Sequence, residues 1–409
     1  MLFAVHSDRS GRLVLASDWA PALFDGNAMR PFEGGIALAR GAEILTLAGR
    51  EAVGLDRGGK PRPLGPGRFA VAAAAPLGVL RTALPAYVEG ERAAPLAARA
   101  YAAVAGDANG DLVIAATPID PEAVAAGPAE AELAVRVTAG LGDLPGNRLA
   151  RQLARCARDY GCRAAANAFM ARADCALPLA APANEHPSAP FSIRAERDAA
   201  PTEPAAFHPT ADEIAAVAVR HLEGRGTIAS FGTACEGEPL LAVRLVEAAV
   251  EAIRARTALG TLHLETNGSS AVALRRVIAA GLDSVAIRVV SARAETYERL
   301  HAPEGYRFSD VRASIEAAVT SSVALALVIL VLPGLTDRPA ELDAIARLAG
   351  ELPPGSQLVL RDLACDPRPA LGLLRVDRPP LGIANALARI RSDAPELRLG
   401  ALIRPLARV

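Results

Sequence analysis

The chain has 409 residues, 51% of them hydrophobic, with 44 basic and 45 acidic side chains and a formal net charge of −1. That length allows two or three domains around a sizeable core, and a balanced charge without a basic stripe excludes nucleic acid as a partner. Five cysteines, an odd number with no dense spacing, exclude a disulfide framework and place the chain in a reducing, cytoplasmic setting.

The amino terminus enters directly into an apolar strand and a polar turn, with no basic region ahead of a long apolar one, so no secretory signal is expected. From there to about residue 120, short apolar runs such as Gly11 to Ser17, Glu43 to Leu47, Phe69 to Ala74 and Asp111 to Ala116 are separated by Gly, Pro and Asp. They predict a β-rich domain over 1–145. Leu149, Leu153, Cys156, Tyr160 and Ala164 recur at helical spacing and predict one long bridging helix from Asn147 to Ala173, within a 146–175 segment. Cys156 and Cys162, six apart on it, would face different sides as small buried hydrophobes. A Pro-rich stretch from His186 to Pro209 must be loop.

Beyond it, over 176–409, strands and helices alternate. Thr210 and Glu213 form a capping box that opens a helix ending at Gly224. Strands are expected at Thr227 to Phe231, Thr261 to Glu265, Ser284 to Val290, Ala324 to Leu332, Gln357 to Arg361 and Leu397 to Ile403, with one more near Leu177 to Leu179. Helices are expected at Pro239 to Arg256, Ser270 to Ala280, Phe308 to Val319, Ala340 to Leu348 and Leu381 to Ile390. Single helices between strands mean parallel pairing with right-handed crossovers. The apolar run Val323 to Leu332 has the length of a buried strand, well short of the roughly 20 residues that span a bilayer, so no membrane partner is expected.

A parallel sheet of this kind puts its site at the carboxyl ends of the strands, and the unusual residues gather there: Phe231-Gly232-Thr233-Ala234-Cys235-Glu236-Gly237-Glu238-Pro239, Glu265-Thr266-Asn267-Gly268-Ser269 and Pro333-Gly334-Leu335-Thr336-Asp337. Glu236 and Glu238 can each bind an amine, act in proton transfer or charge the helix that Pro239 begins; the reading taken is ligand contact for Glu238 and helix-dipole service for Glu236. Alternation sends His263 and Glu265 to one face, the lumen, with Leu262 and Leu264 under the helices. Arg288 and Arg361 join them, either as ion-pair partners of Glu265 or as a clamp on a substrate carboxylate or phosphate. Cys235 beside two glutamates is a poor reactive thiol. The only lysine, Lys60, lies outside the barrel, which excludes Schiff-base chemistry there.

FGTACEGEPLL resembles the GGE-type loop of the radical S-adenosylmethionine (radical SAM) family. LHLETNGS resembles its TNG strand end, GLDSVAIRVVSARAETYERLHAPEGYRFSDV its GLDSIRISL-DSA segment, and LVILVLPGLTD its LVLPGxTD strand. The four lie in the family's order and cover the chain from about residue 177 onward; the amino-terminal part resembles the extension of a bacterial subgroup. The resemblance implies a partial TIM-like (β/α)6 barrel. It places Gly237 and Glu238 toward the methionyl amine of S-adenosyl-L-methionine, Thr266 and Asn267 toward the ribose, Gly334 toward the adenine and Arg288 in the cofactor site.

The family's CxxxCxxC loop breaks that pattern. In PLAAPANEHPSAPFSI the three cysteine positions hold Ala183, Pro187 and Pro190, and a register starting at Cys175 meets Leu179 and Pro182. Alanine and proline side chains have no donor for iron, so a 4Fe-4S cluster is not supported and S-adenosylmethionine loses its chelating iron. The expectation is a degenerate, cluster-less descendant, a pseudoenzyme in radical terms, that keeps the barrel to bind a nucleoside-like ligand or a protein partner. The alternatives are an active radical SAM enzyme with other cluster ligands, such as Cys156, Cys162 and Cys175, and a non-radical enzyme built on Glu265, Arg288 and Glu238.

Overall fold

The computed structural model describes residues 1–38, 42–75, 78–91, 93–94, 96, 99–120, 129–186, 205–232, 236–373 and 379–406. Pro187, Pro190 and Cys235 lie outside them.

Short alternating runs broken by turn residues form strands, and the first 120 residues fold into a 12-stranded antiparallel sheet with a separate two-stranded one. Leu2–Ser7, Phe69–Ala74 and Tyr101–Asp107 pair with one another, and the long strand Glu43–Leu55 runs beside Phe69–Ala74 through an irregularity between Leu47 and Glu51. Alanines at its centre, among them Ala72, Ala102 and Ala105, are fully buried. Small side chains bring these strands close to whatever packs on them.

The single helix expected from Asn147 to Ala173 is two helices, Arg148–Asp159 and Arg163–Met170. Gly161 takes a left-handed backbone (φ 62°), which ends the first helix, and Cys162 starts the second. A further helix, Glu130–Asp143, lies where the sequence reading placed β structure, and its Val137 is buried in the barrel's own core. Its 14 residues show only a weak apolar stripe, which is why pattern alone missed it.

Seven parallel strands follow in sequence order: Asp174–Ala176, Ile228–Phe231, Thr261–Thr266, Ser284–Val290, Ala324–Val331, Gln357–Asp362 and Arg398–Gly400. Helices Ala211–Glu223, Val243–Arg254, Ala271–Ala279, Phe308–Val319, Pro339–Ala349 and Ile383–Asp393 cover the outer face, where Leu262, Leu264, Val285 and Ile287 enter one large apolar core. The segment near Pro239 is a short 3-10 turn before the helix proper, and Ala294–His301 is an additional helix in the fourth crossover. The Thr210–Glu213 capping box is formed in both directions. Thr210→Ala is expected to lower stability by about 1 kcal/mol in urea unfolding, because it orphans the first helical N–H groups.

The sheet is curled. In a flat sheet the third and sixth strands lie about 14 Å apart, yet Glu265 on the third and Arg361 on the sixth meet at 2.6 Å through both guanidinium nitrogens. The lumen is closed below by the final segment: Leu406 N donates to Thr261 Oγ1 and Arg404 N to Gln357 Oε1, while Ile403 packs on Ala286, Val328 and Val359. Above, the amino-terminal sheet sits on the carboxyl ends of the fifth and sixth strands. Gly26 faces Gly334 backbone to backbone, the Arg81 N–H donates to Asp362 Oδ2 (3.0 Å), and Glu89 pairs with Arg368. No described helix is long and apolar enough to cross a membrane.

Candidate functional site

Inward residues of successive strands stack in levels. Low in the lumen, His263 Nδ1 meets Ser284 Oγ at 2.5 Å, and Ser230 donates to Asp174 Oδ1 at 2.6 Å. His263 is buried, and burial brings its pKa down to about 4, so it is neutral at pH 7. Its Nε2 has no hydrogen-bond partner among the described residues.

One level up, Arg288 stands among three carboxylates. Its Nη2 is 3.5 Å from both Glu185 and Glu238, and its Nη1 is 3.7 Å from Glu265 and 3.5 Å from the Gly232 carbonyl. Burial works against every charge here, but the three acids raise the Arg288 pKa further. Burial likewise opposes the charge on Glu265, which Arg361 and Arg288 hold below its ordinary value. Glu238 goes the other way: burial raises it despite Arg288. The arrangement surrounds Arg288 with three carboxylates in a buried charge cage. Both Arg288 and Arg361 lie within ion-pair distance of Glu265.

The capping place expected for Glu236 is taken by Glu238. Glu238, not Glu236, caps the turn that Pro239 begins, accepting from Leu240 N (3.0 Å), and it also accepts from Asn267 N (2.8 Å) and the Thr266 hydroxyl. Glu236 turns back to hold the first strand's exit, accepting from Leu179 N (2.5 Å) and Gly232 N (3.3 Å). Thr266 and Asn267 thus join Glu238 in one constellation. Gly237 is needed for a close approach, since a Cβ there would stand 2.0 Å from the Pro182 carbonyl oxygen. Gly334 is separated from this group and faces Gly26 of the amino-terminal sheet.

The residue missed by pattern is Glu185, two positions beyond Ala183. Its carboxylate accepts from His301 (2.8 Å), Asn267 Nδ2 (3.3 Å) and Tyr306 OH (3.3 Å) besides facing Arg288. Although burial opposes it, the His301 hydrogen bond and Arg288 bring its pKa down to about 2. Neighbouring Asn184 accepts from Glu304 N and from Asn267 Nδ2, both at 2.8 Å. Glu185, His301 and Tyr306 carry no periodic signal, because a loop and a helix end bring them in.

A 4Fe-4S cluster needs soft thiolate donors. Ala183 is exposed and offers none, and the polar groups of its loop are an amide and a carboxylate already held by Asn267 and His301. Cys175 is fully buried, with its thiol pushed well up by burial, and Cys156 and Cys162 belong to two different helices. Among the described residues no group of three His, Cys, Asp or Glu is placed to hold a metal. None of the described residues of the Ala183 loop supplies a thiolate that fits the cluster.

Asp174 and Glu236 predict a pH signature. Burial raises both to about 7, so the folded state keeps protons that the unfolded chain releases near pH 4. Stability from these groups is greatest below the unfolded carboxyl pKa and falls as pH rises to about 7. Asp174→Asn, which can still accept from Ser230, is expected to flatten the decline of Tm between pH 4.5 and 7.5; an unchanged slope refutes the burial argument.

Seven consecutive parallel strands curl around a polar lumen into a half-barrel, with the Gly-Glu, Thr-Asn-Gly and Pro-Gly turns at their carboxyl ends. No protein-family model and no curated protein matches the chain. Among solved structures, methylornithine synthase is similar over 66% of this chain and 74% of its own, at 14% identity and a TM-score of 0.39. The FeFe-hydrogenase maturase HydG from Carboxydothermus hydrogenoformans is similar over 67% and 71%, at 14% identity and 0.40. A spore photoproduct lyase mutant is similar over 64% and 95%, again at 14% and 0.40.

Proposed function

We propose that this half-barrel works without a cluster and without radical chemistry, as a binding module for a neutral, nucleoside-like ligand at the strand ends. The observation that carries this reading is the use of Glu185: the loop that lacks the iron donors sends its own carboxylate to Arg288 and His301. With Arg288 committed to three acids and Arg361 to Glu265, neither of these two arginines is spare for a phosphate or a methionyl carboxylate. Thr266, Asn267 and Glu238 hydrogen-bond to one another at the strand ends, and a ligand's hydroxyls and amides would exchange into that group.

The test is a thermal-shift series with adenosine, adenosine monophosphate and S-adenosylmethionine, since a ligand selective for the folded state raises Tm by mass action. Adenosine is expected to raise Tm, the two charged ligands to raise it less, and Asn267→Ala to abolish the rise. Tighter binding of the monophosphate, or no shift with any nucleoside at millimolar concentration, rejects the neutral-ligand reading and turns the search to a protein partner.

A further inference from the structure

Aromatic residues are scarce in this chain, 9 Phe, 5 Tyr and 1 Trp in 409. Three of them, Phe24, Tyr87 and Tyr101, surround one cavity of about 230 Å³ together with Met29 and Leu84. The cavity lies at the seam between the amino-terminal sheet and the barrel, because its last wall is Pro367 and Arg368, which follow the sixth strand. In an alanine-rich protein that packs its sheet with the smallest side chains, large flat residues around a void of this size are unlike the rest of the core. An empty apolar void costs stability in proportion to its volume, and one of about 150 Å³ stays dry and takes up benzene.

We propose that this cavity is a binding site for a neutral, planar, bicyclic aromatic compound. The volume of about 230 Å³ exceeds the benzene case of about 150 Å³ and leaves room for a larger ring system, and the Tyr and Phe rings offer stacked and edge contacts. Neutrality follows from the one charged wall. Arg368 is already paired with Glu89 and Asp366, and its guanidinium lies 6.0 Å from the Tyr87 ring centroid, with Arg50 at 5.7 Å. Neither Arg368 nor Arg50, which also pairs with Glu89, is left over for an anion. The site is independent of the barrel lumen and of the function proposed for it.

The probe is 2-naphthol, followed by its own fluorescence, with 2-naphthoate as the charged counterpart. Saturable one-to-one binding is expected with a Kd below about 1 mM, and naphthoate is expected to bind at least about tenfold more weakly. Leu84→Trp fills the cavity from its buried side. Met29→Trp does so from the edge strand Met29–Pro31, the milder change if the first variant fails to fold. Each folded variant is expected to weaken naphthol binding by at least about tenfold. Absence of saturable binding, naphthoate binding as tightly as naphthol, or undiminished binding in a folded filled variant overturns the proposal.

Discussion

Arg288→Met is expected to destabilise the protein by about 3–5 kcal/mol, the usual cost of removing one member of a buried ionic group. The side chain is only 12% exposed, and its loss leaves Glu185, Glu238 and Glu265 facing one another, with Arg361 the remaining cation beside Glu265. Like charges confined at low polarity repel strongly, so the variant should regain stability wherever protonation relieves them. The sign follows from Glu185. Its folded pKa is lowered, so in the wild type its contribution is present above the unfolded carboxyl value and is lost as pH falls toward about 2. In the variant that contribution is gone, and the deficit against wild type should shrink from pH 7 to pH 4. Adding Glu185→Gln to Arg288→Met should recover part of it. Urea unfolding at both pH values reads all three; a loss below about 1 kcal/mol at pH 7 would mean that the acids are solvated rather than caged.

Gly26→Ala is the second large effect, expected to cost roughly 2–4 kcal/mol by adding overpacking to a left-handed backbone. Gly26 has φ 87°, and a Cβ there would lie 2.0 Å from the Pro333 carbonyl oxygen, a backbone atom that no rotamer change can move. Gly334, at φ 84°, meets Gly26 in the same way from the barrel side. The clash therefore falls between the sheet and the mouth of the barrel. Limited proteolysis should release the amino-terminal sheet from the folded variant sooner than from wild type, whereas Gly11→Ala, also left-handed but with open space around it, should change stability without loosening that contact. Equal protease resistance in both variants would remove Gly26 from the seam's main supports.

The barrel was legible because its signals were local and consistent with each other. Ser284–Val290 and Phe308–Val319 fall on the residues expected, and the Thr210 box starts its helix where the hydroxyl and carboxylate spacing demands. Alternation also placed His263 and Glu265 in the lumen, since a strand's period of two leaves no other choice once Leu262 and Leu264 face the helices. Failures came where a single glycine or a loop decides direction. Gly161 divides a run whose helical spacing continues across it. Gly237 lets Glu236 and Glu238 point to opposite supports, and Glu185 enters the lumen from coil, where no period exists to read.

Iron and acid-labile sulfide, determined with the visible spectrum on protein purified and reconstituted without oxygen, test the central claim most directly. A folded, colourless protein free of both is the expected result, because the positions that would bind a cluster hold Ala183, Pro187 and Pro190. About four irons per chain with the broad absorbance of a thiolate-bound cluster, lost in Cys175→Ala, would contradict it and make the buried cysteines its ligands.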